Sequence, residues 1–302
     1  MLAPIILFAF SRPDHTRRAL AALAANELAD KSDLIVYADA ARNEREAASV
    51  RAVRELVRGT TGFCSVTLIE RDMNFGLARN IIEGVSEVLS QHERVIVLED
   101  DLVTSPFFLT YMNEALERYA NDDRIISIHG YVYPVAGALP EAFFLPGADC
   151  WGWATWRRGW AYFNPNGAQL LLELKQRKLE HAFNYGGSFP YTQMLEAQIA
   201  GTNDSWAIRW YASAFLLGKL TLYPGRSLVH NIGNDASGMN CGQSSVMDTS
   251  LSDRPIRLDS VAVESCAVAQ LEIARFFSRQ SRRGISGWIS RLLSSLIMER
   301  NA

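Results

Sequence analysis

The segment Arg94–Asp101, RVIVLEDD, constrains the fold of this chain more than any other. Its apolar part, Val95–Leu98, predicts a short strand that is buried on both faces, as in a parallel sheet. Three carboxylates follow it directly: Glu99, Asp100 and Asp101. Acids at the end of a buried strand are costly unless a positive charge lies beside them. An acidic loop that faces water is the simpler interpretation, but it does not explain why a hydrophobic strand leads into it.

Strand and helix patterns alternate through the first 130 residues. The predicted strands cover 4–10, 33–37, 65–69, 95–98 and 124–128, and the first three predicted helices cover 15–28, 43–58 and 77–90. A fourth helix is predicted to begin with Ser105 as N-cap and Pro106 at its first position. This alternation predicts an α/β fold with a mainly parallel sheet. The loops after the strands then gather at the edge where such sheets bind ligands.

The pattern changes after residue 130. Residues 131–166 are rich in glycine, proline and aromatic side chains. Helical patterns return at 168–182, 191–199 and 206–217, and strand patterns at 220–223 and 227–232. Residues 281–302 form a separate basic amphipathic pattern, in which apolar residues recur at helical spacing beside arginines.

Composition excludes several classes of protein. The chain has 302 residues, of which 48% are hydrophobic, and a net charge of -3, so general nucleic-acid binding is not expected. Its four cysteines lie far apart without a C-x-x-C motif, which argues against a zinc site or a disulfide framework and favours a reducing cytoplasm. The apolar run near the N-terminus is too short for a membrane span.

Five segments carry a resemblance to a known family: PIILFAFSRPDHTRRAL, VYADAARNE, ERDMNFGLARN, VIVLEDDLVTSPFFL and SWAIRWYAS. They occur in this order within the first 240 residues. Together they resemble bacterial relatives of family-2 glycosyltransferases and the N-acetylglucosaminyltransferase I group of animals. The resemblance implies a GT-A fold, in which a Rossmann-like nucleotide-binding sheet precedes an acceptor-binding part. It divides the chain into a nucleotide-sugar-binding half, 1–130, an acceptor-binding half, 131–270, and the amphipathic helix 281–302.

The resemblance also implies which residues hold the nucleotide-diphosphate sugar: Arg12, Asp39, Asp72, Asn74, Glu99 and Asp100. The guanidinium fork of Arg12 suits phosphate. Each of these residues also has an ordinary interpretation as part of a turn, a loop or the start of a helix.

The metal ion implied by the resemblance is Mn²⁺ or Mg²⁺. Asp101 matches the direct ligand, and the ion would bridge both phosphates. His230 is a second candidate ligand, because several GT-A enzymes use a late histidine and imidazole suits manganese moderately. Related sequences often carry Thr-His further along this loop, where this chain has Met239-Asn240. That departure weakens the case for histidine ligation there.

Transfer with inversion requires a base, and the resemblance points to Asp204, which precedes Ser205-Trp206. A carboxylate beside an apolar Trp206 is expected to be partly desolvated. The alternatives are that Asp204 only caps a helix, or that Glu196 is the base.

Trp151 and Trp153 are candidates to line the donor or acceptor pocket, although aromatic runs more often form core. Trp156 and Trp160 are expected to be core residues.

The resemblance implies an inverting, metal-dependent glycosyltransferase, and its acceptor would be a glycan or a lipid-linked glycan of the bacterial surface. We expect it to be cytoplasmic and to contact the inner face of the plasma membrane through 281–302. The alternative for 281–302 is that its apolar stripe packs on the catalytic domain or on a second subunit. A non-catalytic sugar- or nucleotide-binding partner in a glycan-assembly complex is the alternative. A nucleotidyltransferase is disfavoured, because Ser11-Arg12-Pro13 stands where that class typically has a glycine-rich loop with a lysine.

Overall fold

The computed structural model describes residues 2–235, 245–259 and 261–282. Its strands are β1 (Ile5–Ala9), β2 (Asp33–Ala38), β3 (Ser65–Glu70), β4 (Arg94–Glu99), β5 (Leu102–Thr104), β6 (Ile125–His129), β7 (Ala142–Pro146), β8 (Trp153–Trp156), β9 (Leu220–Pro224) and β10 (Val229–Asn231). Its helices are α1 (Pro13–Ala24), α2 (Glu44–Arg58), α3 (Leu77–Gln91), α4 (Phe108–Arg118), α5 (Arg157–Trp160), α6 (Gly167–Gln176), α7 (Glu180–Phe183), α8 (Tyr191–Ile199), α9 (Trp206–Leu216) and α10 (Ala267–Arg282).

One large sheet runs through both halves of the chain, in the order β3-β2-β1-β4-β8-β6-β9-β7. Four of its seven strand pairings are parallel, and the pairings that involve β7 or β8 are antiparallel. The predicted α/β fold with a mainly parallel sheet is therefore confirmed. A separate antiparallel ribbon pairs β10 with β5.

The central strands are buried on both faces because their sequences are apolar without interruption. In β1, Ile5 and Leu7 pack into one hydrophobic cluster, while Ile6 and Phe8 pack into a second cluster on the opposite face. Such burial contributes about 1.5–3 kcal/mol for each large aliphatic side chain. It holds the ends of β1 and β4 in place, and these ends carry the polar residues of the candidate site.

The order of the first four strands creates a switch point. β1 lies between β2 and β4 and is parallel to both, so the chain leaves it towards one side and later returns on the other. In open α/β sheets, ligands bind outside the carboxyl ends of the strands at such a point. Here that position falls between residues 10–12 and residues 99–101.

Some predicted helix boundaries are wrong, and local bonding explains why. Helix α4 begins at Phe108, and the Ser105 hydroxyl donates to Ser252 O at 2.7 Å and accepts from Phe107 N at 3.4 Å, one residue before the helix. The first helix ends at Ala24, and Leu28 has a φ of 72°. The predicted helix 168–182 is divided into α6 and α7, because Lys178 has a φ of 53° and cannot continue a right-handed helix.

Three strands, β5, β7 and β8, and two helices, α5 and α10, were not predicted. Strands β7 and β8 lie in the segment that the sequence marks as irregular, and β8 is inserted between β4 and β6 at the centre of the sheet. Helix α10 begins where the sequence gave no clear pattern. The amphipathic pattern predicted for 281–302 lies outside the described residues from 283 onwards. Among the described residues, no helix is long and apolar enough to cross a membrane.

Candidate active site at the sheet edge

Arg12 joins the ends of β1 and β4. Its Nη2 donates to Asp100 Oδ1 at 2.5 Å and to Asp101 Oδ2 at 2.9 Å. Asp100 and Asp101 are only 4% and 8% exposed, so their charges require a partner inside the protein. The sequence predicted a positive group beside these acids, and the group that the chain itself supplies is Arg12.

The segment after β10 closes over this cluster. Ile232 N donates to Asp101 O at 2.9 Å, which extends the β5–β10 ribbon up to the second aspartate. A Cβ atom on Gly233 would collide with Asp101 Oδ2 and would lie 3.1 Å from Arg12 Nη1. The backbone therefore approaches the ion pair so closely that only glycine fits at residue 233.

Burial and mutual repulsion change the pKa values of the acids at the end of β4. Burial raises the pKa of Glu99 to about 8, and the charges of Asp101 and Asp100 add to this shift, while Arg12 opposes it. Burial also raises the pKa of Asp100, although Arg12 counteracts the effect. Three adjacent acids thus share one arginine, and a further cation placed there would favour their ionised forms.

Asp39, which follows β2, accepts hydrogen bonds from the protein itself, and its predicted contact with the nucleotide stays a prediction. Its Oδ1 accepts from the N–H groups of Ala40 and Phe75, both at 2.9 Å. Its Oδ2 accepts from Gly76 N at 3.0 Å and from Asn74 Nδ2 at 3.2 Å. A carboxylate has about four acceptor positions, so the protein itself fills those of Asp39. This geometry favours a role in holding residues 74–76 against β2 over direct contact with a nucleotide.

Asn74 belongs to the same arrangement, because its amide also donates to Ala40 O at 2.7 Å. Asp72 is exposed on the loop before it.

Arg71, for which the sequence gave no role, stacks over the rings of Tyr37 and Phe75, whose centroids lie 4.8 and 4.6 Å from its guanidinium carbon. Its Nη2 is buried and has no hydrogen-bond partner among the described residues. Arg71 is therefore a second cationic group that the sequence analysis did not single out.

Asp204 immediately precedes α9. Ser205 is the N-cap, since its hydroxyl accepts from Ile208 N at 3.2 Å. The carboxylate of Asp204 is therefore not needed for capping. Its side chain is 60% exposed and lies 3.4 Å from Arg209 Nη2. The desolvation expected from Trp206 is absent, because that ring is buried against Trp153 while Asp204 faces outward. Glu196, the alternative base, pairs with Lys175 at 3.2 Å on the surface.

The tryptophans separate into two groups. Trp153 is 1% exposed and packs against Trp160, Trp206 and Trp210, which is the environment of a core residue. Trp156 and Trp160 are also buried, in agreement with their predicted core role. Trp151 instead lines a cavity together with several tyrosines.

The residues at the switch point fit a hard divalent cation in part. No group of three or more His, Cys, Asp and Glu side chains in residues 2–235, 245–259 and 261–282 is arranged to hold a metal ion. Mn²⁺ and Mg²⁺, however, are commonly held by one or two carboxylates together with substrate phosphates. Asp100 and Asp101 supply two converging oxygens, which Arg12 contacts in this structure.

His230 lies on β10 opposite Val103, three residues before Gly233. Its Nδ1 is buried and has no hydrogen-bond partner among the described residues. A nitrogen without a donor or acceptor beside it is compatible with ligation, but the ring is not part of a metal-binding group in the described residues. Its predicted role as a metal ligand stays a prediction.

No protein-family model and no curated protein sequence matches the chain. Among solved structures, it is similar to S. aureus TarS 1-349, with a TM-score of 0.42 and 10% identity over 76% of this chain and 60% of that chain. It is similar to the mannosyltransferase PcManGT from Pyrobaculum calidifontis in complex with GDP-Man and Mn²⁺, with a TM-score of 0.31 and 15% identity over 44% and 36% of the two chains. It is also similar to a UDP-glucose pyrophosphorylase complexed with UDP-glucose, with a TM-score of 0.35 and 13% identity over 74% of this chain and 90% of that chain.

Proposed function

We propose that this protein is a glycosyltransferase that moves a sugar from a nucleotide-diphosphate donor to an acceptor hydroxyl. The observation that supports this most is the meeting of Arg12, Asp100 and Asp101 at the switch point of the sheet. Ligands of open α/β sheets bind at that point. A guanidinium fork and two converging carboxylates are the groups that a diphosphate and its counter-ion require.

In this proposal, Asp100 and Asp101 hold Mn²⁺ or Mg²⁺, with phosphate oxygens completing the ligands. Such an ion neutralises the negative charge that develops on the leaving diphosphate. Arg12 exchanges its carboxylate partners for phosphate oxygens, to which it can donate two parallel hydrogen bonds. Asp39 and Asn74 keep residues 74–76 in position beside the nucleotide, and the exposed Asp72 is available to contact it.

Asp204 acts as the base in an inverting transfer. Its exposed carboxylate stands at the start of α9, and Ser205 caps the helix in its place. The carboxylate accepts the proton of the acceptor hydroxyl as that oxygen attacks the anomeric carbon from the face opposite the diphosphate. Residues 1–130 bind the donor and residues 131–270 bind the acceptor, which we propose is a glycan or a lipid-linked glycan of a bacterial surface. The basic pattern of 281–302 would bring the enzyme to a membrane.

Calorimetry with UDP and GDP, each without metal, with MnCl₂ and with MgCl₂, tests the donor site directly. We expect one nucleotide to bind in the presence of Mn²⁺ and to raise the melting temperature by mass action. Release of that nucleotide from its sugar conjugates, measured with and without glycan acceptors, then separates an enzyme from a non-catalytic binding partner. If no nucleotide diphosphate binds with either metal ion, the proposed function is wrong.

A further inference from the structure

A cavity of about 140 Å³ lies beside Asp149. Aromatic side chains form most of its wall, among them Tyr131, Tyr133, Trp151, Tyr185, Tyr191 and Tyr223. Their rings meet largely edge to face; for example, Tyr131 and Trp151 have centroids 4.7 Å apart and planes at 73°. Among the described residues that line the cavity, Asp149 is the only acid, and none is a lysine or an arginine.

Neutral groups surround the carboxylate of Asp149. Its Oδ1 accepts from Cys150 N at 2.8 Å. Its Oδ2 accepts from the hydroxyl of Tyr133 at 3.0 Å and, more weakly, from that of Tyr223 at 3.4 Å. The Cys150 thiol is also hydrogen-bonded to this carboxylate, and since all these donors are neutral, none of them compensates its negative charge. The side chain is 21% exposed, which shows that a ligand can reach it.

Asp149 has no cationic partner in the described part of the chain. The nearest basic group is His129, whose Nε2 lies 3.9 Å from Asp149 Oδ1. Trp151 N donates to that same Nε2 at 3.1 Å, so this nitrogen is unprotonated and the imidazole is neutral. Burial also lowers the pKa of His129. The negative charge in this aromatic cavity is therefore uncompensated within the described residues, which is unfavourable unless a ligand supplies a positive charge.

The surrounding tyrosines remain neutral. Burial raises the pKa of Tyr133 and of Tyr191 well above the ordinary value, and the charge of Asp149 raises both further. Their hydroxyls thus act as donors, and their ring faces carry the negative quadrupole that attracts cations. The cavity combines two features that favour a positive ligand: ring faces and one carboxylate.

The size of the cavity limits its occupant. A cavity of about 150 Å³ in another protein binds benzene, so this one accommodates roughly six non-hydrogen atoms. A whole hexose ring with its hydroxyls is larger than that. A trimethylammonium group, or a similar small alkylammonium group, has the appropriate size and the appropriate charge.

We propose that the Asp149 cavity is a binding site for a small alkylammonium group. The aromatic faces surround the alkyl carbons, and the carboxylate faces the positive nitrogen. The inference rests on the proposed function only where it assigns this group to the acceptor. That assignment follows from proximity: Trp151 and Gly152 lead from the cavity into β8, and a Cβ on Gly152 would lie 3.4 Å from Leu98, the residue before Glu99. Burial raises the pKa of the Cys150 thiol, and the charges of Asp149 in the cavity and of Glu99 in the candidate active site raise it further.

The test compares choline with 3,3-dimethylbutan-1-ol, its neutral isostere, by calorimetry on the full chain without nucleotide. We expect choline to bind at least about tenfold more tightly, because only choline gains the attraction of ring faces and carboxylate. The variant Asp149→Asn keeps the shape of the side chain and should reduce this preference to the part that the ring faces supply. Asp123→Asn is the matched control, since Asp123 is an acid on the surface with a largely exposed side chain, and it should leave both affinities unchanged.

Equal binding of the two compounds to the unmodified protein would show a merely apolar pocket and would overturn the proposal. So would the absence of choline binding, or a preference that is undiminished in a folded Asp149→Asn variant. The comparison on the unmodified protein decides the question even if that variant does not fold. Choline binding and nucleotide binding are measured separately, so failure of one leaves the other standing.

Discussion

Arg12 and Asp101 are joined by a hydrogen bond of 2.9 Å between Nη2 and Oδ2, and the same nitrogen lies 2.5 Å from Asp100 Oδ1. The arginine thus places one positive charge between two buried acids, and in the proposed function a metal ion would take the same position. A guanidinium and a divalent cation cannot both lie between the same two oxygens. We therefore expect cation binding and release of Arg12 from the acids to be coupled.

The first prediction concerns Arg12→Gln. The variant should bind Mn²⁺ alone about tenfold more tightly than the unmodified protein, because the cation no longer competes with the guanidinium. It should bind nucleotide diphosphate more weakly, because a phosphate partner is lost. It should also be less stable by about 3 kcal/mol without metal, since two buried acids lose their counter-charge. Calorimetry and melting curves measure these effects.

The control is Arg17→Gln, which changes an exposed arginine on α1 and should leave all three quantities unchanged. Unchanged Mn²⁺ affinity in Arg12→Gln would contradict the coupling.

The second prediction concerns Asp101→Asn. The amide preserves the shape of the side chain but removes one charge, so Mn²⁺-dependent nucleotide binding should fall by about a hundredfold while the fold persists. Asp100 still pairs with Arg12 in this variant. Calorimetry with the nucleotide and MnCl₂ gives the affinity, and Glu114→Gln on the surface of α4 is the matched acid-to-amide control. Nucleotide affinity that remains unchanged would exclude Asp101 as a metal ligand.

The third prediction separates catalysis from capping before α9. Asp204→Asn should lower turnover by about 10²-fold or more, through loss of the base, while the melting temperature and donor affinity stay the same. Ser205→Ala should do the reverse and destabilise the protein by about 1 kcal/mol, because it removes the N-cap. Steady-state kinetics and melting curves on both variants test this, with Glu196→Gln as a comparison for the alternative base. A fully active Asp204→Asn enzyme would show that another group takes the proton.

The fourth prediction is a pH dependence at Glu141. Arg226 donates to both oxygens of this carboxylate at 2.8 Å and lowers its pKa to about 2, from an ordinary value of 4.5. Because the folded-state pKa is depressed, the stabilisation is complete above about pH 4.5 and is lost as the pH falls towards 2. Glu141→Gln should therefore lower the melting temperature at pH 7, and the difference from the unmodified protein should narrow at pH 3. A difference that stays constant over this range would rule out the ion pair as its cause.

The part of the fold that could be predicted from sequence is the part with uninterrupted local patterns. Strands β1 and β4 are apolar runs with polar residues after them, and the predicted helix 43–58 corresponds to α2 with Asn43 as its N-cap. Strand β8 could not be found in this way. Its residues, WATW, are strand-compatible, but they lie among glycines and tryptophans, and only long-range pairing with β4 and β6 makes them a strand.

The candidate site was predictable to a similar extent. The position of Glu99, Asp100 and Asp101 at the end of β4 follows from the sequence, and so does the approach of Arg12 to the same edge. The saturation of Asp39 by residues 74–76 does not, because it depends on a loop that arrives from 35 residues further along the chain. Asp149 gave no local signal, since it is a single acid in an irregular segment, and the cavity around it forms only where residues from β9, α8 and α9 meet.

The four hydrogen bonds of Asp39 also have a thermodynamic consequence for any ligand of this edge. A loop that is disordered before binding loses conformational entropy when the ligand arrives, and the affinity is reduced accordingly. Residues 74–76 are already ordered by Asp39, so that entropy is lost during folding instead. A nucleotide-sugar donor that binds here would contact a loop that is already ordered. Its affinity would depend on the contacts it makes and not on the ordering of residues 74–76.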